Sequence, residues 1–251
     1  MITQYHRPNS LEEALKLLSQ PDTRPLGGGT ELTKRNDETF SVVDLQNLGL
    51  DKLRKSGNNL EIGATVTLQN LLDSEYIPQA LKTALELETP LNLRTMGTVA
   101  GTLMTCDGHS PFGTVLLALD AKCLLISEKA VMVSLGELIP LREELLRGQL
   151  ITGIEIPLNI KLAFETVART PSDKPIVCTA LAQWPSGRTR LAIGGWGQYP
   201  TLAMDGNESS GLQETARNAC SEAADDWATA EYRMEVAGIL AKRCHDRVGS
   251  L

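Results

Sequence analysis

The order in which hydrophobic periodicities change along this chain excludes most architectures before any motif is considered. Through residue 157 helical and extended patterns are mixed; extended runs then follow one another, and helical patterns close the chain. Strands and helices that do not alternate regularly cannot build a doubly wound parallel sheet. The expected class is therefore α+β, in two domains spanning 1–158 and 159–251, a length sufficient for two buried cores.

The individual signals support that order. "SLEEALKLL" places Ser10 and Glu13 in capping-box positions and Leu11, Ala14, Leu15 and Leu18 on one helical face. "SVVDL" and "LEIGA" read as strands, Thr67 caps a short helix, and Leu81, Ala84 and Leu85 mark another helix in "IPQALKTALELE". "FGTVLLALDA" reads as a buried helix, "KCLLIS" and "AVMV" as a hairpin across Glu128 and Lys129, and "QLITGIEIP" as a strand closed by Pro157. The segment Asn92–Pro111 offers neither a core helix nor a plain strand. Beyond it, "LAFETVAR", "IVCTALAQW" and "RTRLAIGGW" are three strands, the last two joined at "PSGR". Two helices follow, the second with an expected apolar stripe of Tyr232, Val236, Ile239 and Leu240.

Composition narrows the function. Acidic residues outnumber basic ones, 31 to 24, which argues against a nucleic-acid backbone as partner. No apolar run reaches the ~20 residues of a membrane helix, and the N-terminus lacks the pattern of a signal peptide. A cytoplasmic protein is expected. The five cysteines form no C-x-x-C pair and read as small buried hydrophobes in the reduced state. The three histidines show no ligand spacing, so no metal is expected.

Two glycine-rich segments stand apart, "LGGGTEL" at 26–32 and "MGTVAGT" at 96–102. Small residues let backbone N–H groups converge on an anion such as a pyrophosphate. Neither is G-x-G-x-x-G or a Walker loop, so a Rossmann site is unsupported. Taken alone the first segment favours a plain turn; as a pair, two sterically open loops could hold a dinucleotide diphosphate from both sides.

These segments carry a family resemblance. "LGGGTEL" and "RTMGTVAGTLMTCD" resemble the two FAD loops of the flavin-binding medium subunit of molybdenum hydroxylases, the carbon monoxide dehydrogenase and xanthine dehydrogenase group. "LEIGATVTLQNLL" between them, "LLALDA" after them, "LAIGGWGQYPTLA" and "ADDWATAEYRMEVAGILAKR" are similar too, in the family's order and over nearly the whole chain. The resemblance implies a vanillyl-alcohol-oxidase-type FAD-binding domain of two α+β subdomains. It implies after that a C-terminal domain with a three-stranded antiparallel sheet and a helix bundle. It places the FAD diphosphate against Gly27, Gly28, Gly29, Thr30 and Glu31, closed over by Thr98, Val99, Ala100, Gly101 and Thr102. Asp107 and Lys174 are further cofactor-binding candidates, with Arg169 and Asp173 on the same loop as Lys174.

The implied activity is that of an oxidoreductase subunit. FAD would take electrons from iron–sulfur clusters on one partner chain, with the molybdopterin on another, and pass them to NAD or another acceptor. No catalytic acid–base set is visible, so the cofactor would carry the chemistry. Two departures motivate a second reading, a subunit that keeps the fold but binds FAD weakly and serves assembly. Ala100 stands where the family has glycine, and Pro111 stands where it has an acid.

Overall fold

The computed structural model describes residues 1–34, 37–207 and 210–250. At the N-terminus, β1 (Ile2–His6), α1 (Leu11–Leu18), β2 (Thr23–Leu26) and β3 (Phe40–Asp44) make a parallel sheet ordered β1-β3-β2. The expected capping of α1 is in place: the Ser10 hydroxyl accepts the Glu13 N–H, and the Glu13 carboxylate accepts the Asn9 N–H. Ala14 seals this helix against Val43 and Leu45.

A second sheet is antiparallel and assembled from distant segments. β4 (Leu53–Ser56) and β5 (Asn59–Gly63) form a hairpin, followed by α2 (Leu68–Leu72), α3 (Gln79–Glu88), α4 (Leu91–Arg94), α5 (Val99–Thr105) and α6 (Pro111–Ala118). β6 (Lys122–Ile126) and β7 (Ala130–Ser134) form the next hairpin; then come α7 (Leu135–Leu138), α8 (Arg142–Leu145) and β8 (Leu150–Pro157). The sheet order is β4-β5-β8-β6-β7, so β8 inserts between two hairpins. Every residue of α6 is buried. Because that helix is apolar all round, it belongs inside the molecule rather than on it.

The segment Asn92–Pro111 departs from expectation, since it holds α4 and α5. A helix as short as α5 presents a single buried i, i+4 pair, Val99 and Leu103, too little to register as a period.

After Pro157 the chain builds a third sheet from β9 (Lys161–Val167), β10 (Val177–Gln183), β11 (Thr189–Gly194) and β12 (Thr201–Gly206), ordered β12-β11-β10-β9 and antiparallel throughout. The sheet therefore has four strands where three were expected. β12 is an edge strand, partly exposed along its length, and it carries no continuous apolar run to announce it. One face of this sheet joins α6 and the second sheet in the main core through Phe164, Cys178, Ala180 and Ala192. The other face packs on α9 (Leu212–Ala219) and α10 (Ala230–Ser250) through Val177, Leu181, Leu191 and Ile193. Covered on both sides, β10 and β11 are buried almost throughout, which explains their near-continuous hydrophobicity.

The stripe expected on α10 holds at Leu240, which is buried, and at Val236, which packs against the same cluster, and is corrected at its other two members. Tyr232 and Ile239 are 44% and 43% exposed, while Ala237, Ala241 and Cys244 face the sheet. α10 also lies close to α9: at Gly238 an added Cβ would come within 2.9 Å of Arg217 Nε.

All five cysteines are free and buried, and burial pushes the Cys106, Cys123 and Cys178 thiols up to about 12. We expect none to react with a thiol reagent at neutral pH in the native chain, and all five to react in denaturant. Rapid labelling of any native thiol would contradict this. Among the described residues no helix is long and apolar enough to cross a membrane.

Candidate functional site

The glycine loop leaves the C-terminal end of β2 and meets the segment entering α5. Their contact is backbone on backbone. A Cβ placed on Gly28 would stand 1.7 Å from the Met96 carbonyl oxygen, and one on Gly27 would stand 2.7 Å from Thr98 Oγ1. Gly29 has φ of +72°, a left-handed conformation that favours glycine. The glycines thus serve the seating of one loop on the other, and through it the shape of the site.

The two loops use their N–H groups differently. In the second loop Val99 N–H donates to Val66 O, Ala100 N–H to Ala64 O, Gly101 N–H to Thr98 Oγ1 and Thr102 N–H to Thr98 O. In the first, the N–H groups of Gly28, Gly29, Thr30 and Glu31 meet no acceptor among the described residues, while Thr33 and Lys34 close the turn behind them onto Gly29 O and Glu31 O. A row of unpaired donors on a glycine loop is an anion-binding arrangement.

That row borders a cavity of about 330 Å³. Gly27–Glu31, Thr98, Ala100, Gly101 and Thr105 line it, together with the apolar Leu18, Pro25, Leu45, Leu150 and Ile151. The mixture of an apolar wall and converging polar groups is that of a small-molecule site, and the volume is at the lower end for one. Arg24 also lines it, lying over the Phe40 ring at 4.5 Å and paired with Glu38 at 2.6 Å. Glu31 is paired with Lys34.

The remaining candidates sit elsewhere. Val99 and Thr102 belong to α5 but do not line the cavity; Val99 is buried in the main core. Asp107 and Lys174 do not line it either, and they pair with each other at 2.6 Å. Burial works against ionisation of Asp107, but the Lys174 ammonium outweighs it and holds the carboxyl below its ordinary value. Asp173 accepts the Thr170 N–H within its own loop.

Between α5 and α6 the residues Cys106–Ser110 cross from the second sheet to the third. Gly108 exchanges backbone hydrogen bonds with Gly195 and Gly197, and its own Cβ would fall 1.6 Å from Trp196 O. The His109 Nδ1–H donates to Pro175 O, and its ring lies 4.3 Å from that of Trp227. The Arg142 guanidinium donates to Cys106 O.

Sequence reasoning missed Leu45, Leu150 and Ile151. Each reads as an ordinary strand-flanking hydrophobe, and only strand pairing carries them to the cavity.

Residues 1–159 match the family model described as the FAD binding domain in molybdopterin dehydrogenase. The chain belongs to that family. The medium chain of glyceraldehyde dehydrogenase from Sulfolobus acidocaldarius is 30% identical over 222 residues, covering 80% of this chain and 78% of the relative. The medium chain of carbon monoxide dehydrogenase from Afipia carboxidovorans is 26% identical, covering 97% and 95% of the two chains. Among solved structures, reconstituted CO dehydrogenase from Oligotropha carboxidovorans superposes with a TM-score of 0.80 at 24% identity, over 98% of this chain and 97% of that one. The mixed α/β fold is thus that of this family's medium chains. The chain is an FAD-binding oxidoreductase subunit, and a glycine loop whose N–H groups meet no acceptor among the described residues fits that cofactor.

Proposed function

We propose that this chain is the flavin-carrying electron-transfer subunit of a molybdenum hydroxylase complex. It would receive electrons from an iron–sulfur subunit beside a molybdopterin subunit and pass them to NAD or another acceptor. The observation that carries this reading is the row of N–H groups from Gly28 to Glu31 that meet no acceptor among the described residues, on a loop bordering the cavity. These groups would take the FAD diphosphate, while Thr98, Val99, Ala100, Gly101 and Thr102 hold the loop against α5. Leu18, Leu45 and Leu150 keep water from the cavity's apolar lining. Bound FAD supplies the redox chemistry. No protein acid or base is required at the cavity, and the ionisable groups on it, Arg24 and Glu31, are already paired. The division at 158, with a vanillyl-alcohol-oxidase-type first domain, belongs to the same reading.

The test is a titration of the purified chain with FAD, ADP and ATP. Tight FAD binding gives a yellow protein absorbing near ~450 nm, stabilised by about 2.7 kcal/mol when free FAD is about 100 times Kd. The Ala100 methyl lines the cavity and favours the second reading, a subunit that keeps the fold and serves assembly. A colourless chain that FAD does not stabilise decides for that alternative, and ATP binding as tight as FAD decides for a non-redox nucleotide binder.

A further inference from the structure

We propose that Arg24 is a specificity-determining residue of this cavity, supplying the positive charge that makes the site prefer a phosphorylated ligand to the same ligand without phosphate. The inference rests on the FAD reading above and assigns Arg24 to the cofactor's diphosphate. Arg24 belongs to β2, the strand that runs into the glycine loop. Among the described residues that line the cavity it is the only cation and Glu31 the only anion, and both Glu31 carboxylate oxygens accept from the Lys34 ammonium. The loop N–H groups are neutral. A diphosphate that met them alone would bring two negative charges against a lining rich in apolar side chains. A charged donor makes a hydrogen bond to phosphate roughly twice as strong as a neutral one. The glycine loop and Arg24 bound one volume of about 330 Å³, so a ligand that fills it meets both.

The guanidinium is held in place yet keeps donors to spare. Its Cζ lies 4.5 Å from the centre of the Phe40 ring, a cation–π distance. Phe40 is buried and is no part of the cavity lining, so the ring backs the cation. Nη2 donates to Glu38 at 2.6 Å. Nε and Nη1 meet no acceptor among the described residues, and neither atom is buried. Both side chains of the Arg24–Glu38 pair are exposed, at 42% and 61%, so solvent screens their attraction and the pair holds the guanidinium only weakly. A guanidinium presents five donors in a planar fork. Arg24 can therefore keep Glu38 on one edge while another edge takes a phosphate oxygen.

The experiment measures by calorimetry the affinities of FAD, ADP and adenosine for the flavin-free natural chain, Arg24→Met and Glu38→Gln. Adenosine is ADP without its phosphates, so the ratio of the two affinities isolates what the phosphates contribute. Methionine keeps an unbranched apolar stem over Phe40 and removes only the charged head. We expect Arg24→Met to weaken FAD and ADP about tenfold and adenosine by no more than about twofold. Glu38→Gln removes the carboxylate that competes for the guanidinium, and should strengthen ADP about twofold while leaving adenosine unchanged. That arm keeps the test open if the methionine variant does not fold. An unchanged ratio of ADP to adenosine affinity in Arg24→Met would overturn the proposal, since the loop N–H groups would then set the preference alone. ADP bound no more tightly by Glu38→Gln would overturn it as well. A natural chain that binds neither FAD nor ADP would overturn the functional reading itself, whereas FAD binding that survives Arg24→Met undiminished overturns this inference only.

Discussion

Gly28→Val should abolish FAD binding and lower stability in the same variant. A side chain there does not merely crowd a ligand; its Cβ would overlap the Met96 carbonyl oxygen at 1.7 Å, and its neighbour Gly97 lies at 3.2 Å. Both obstacles are backbone, so neither can rotate away. The glycine loop must lift from the segment entering α5, and the row of free N–H groups loses its alignment. Backbone displacement by overpacking costs about 1–3 kcal/mol, which for a chain of this size lowers Tm by roughly 3–10 °C. FAD affinity should fall by about a hundredfold or more, as at least two aligned donors to an anion are lost. Calorimetry and a thermal melt check both parts. A valine variant with native Tm and native FAD affinity would show that the two loops are not in contact.

Arg233→Met should be the most destabilising single change in the C-terminal half. Arg233 is 0% exposed, yet its guanidinium is fully engaged. Nε donates to Ile176 O, Nη1 to Ala223 O and Ala228 O, and Nη2 to both oxygens of Asp225. It joins α10 to the end of the β9–β10 loop and to the turn carrying Trp227, whose ring rests on His109. Methionine fills much of the volume but takes the guanidinium donor from Ile176 O and Ala223 O, while Ala228 O keeps the Asp225 N–H and the Asp225 carboxylate keeps the Trp227 and Ala228 N–H groups. Each buried carbonyl left without a donor costs about 1–3 kcal/mol, and urea unfolding should read the loss.

The loss should also depend on pH. Burial disfavours the charged form of Asp225, but its bonds to Arg233, with those from the Trp227 and Ala228 N–H groups, outweigh that and hold the carboxyl below its ordinary value. The stability owed to this pair is therefore fully present above the unfolded value of about 3.9, and disappears as pH falls through the lowered folded value. The gap between the natural chain and the variant should narrow on acidification below about pH 4. A gap that stays constant through that range would mean Asp225 does not share in the effect.

Much of this protein is legible in its residues because much of it is local. Ser10 and Glu13 announce α1 through bonds three and four residues apart; Thr67 announces α2 in the same way; Leu81, Ala84 and Leu85 mark the buried face of α3. The glycine loop is legible too, since three glycines in a row mark a place of close approach. What they approach is not. Gly28 abuts Met96, far along the chain, and the pair of loops that reads as symmetric is divided in its work. Among the described residues one loop's donors meet no acceptor, while the other spends them on Ala64, Val66 and Thr98.

Non-local effects account for the other differences. Tyr232 and Ile239 have the right period for a buried stripe but stay exposed; Leu240 and, in part, Val236 do reach the core, and Ala237, Ala241 and Cys244 complete the face that packs on the sheet. β12 becomes a strand because β11 offers it an edge, not because its own residues demand one. Asp107 and Lys174 each look like a ligand group when read singly, and the fold pairs them with each other.

The sequence by itself determined many of the elements, the caps of α1 and α2, the mixture of helix and strand and the position of the glycine loop, all of which depend on propensities and hydrogen bonds within a few residues. Only the tertiary structure decided which loop N–H groups meet no acceptor among the described residues, which hydrophobes wall the cavity, and that Arg24 joins them there. Those depend on contacts between segments far apart in the chain, where packing and the need to satisfy every buried polar group choose among partners that local pattern leaves equivalent.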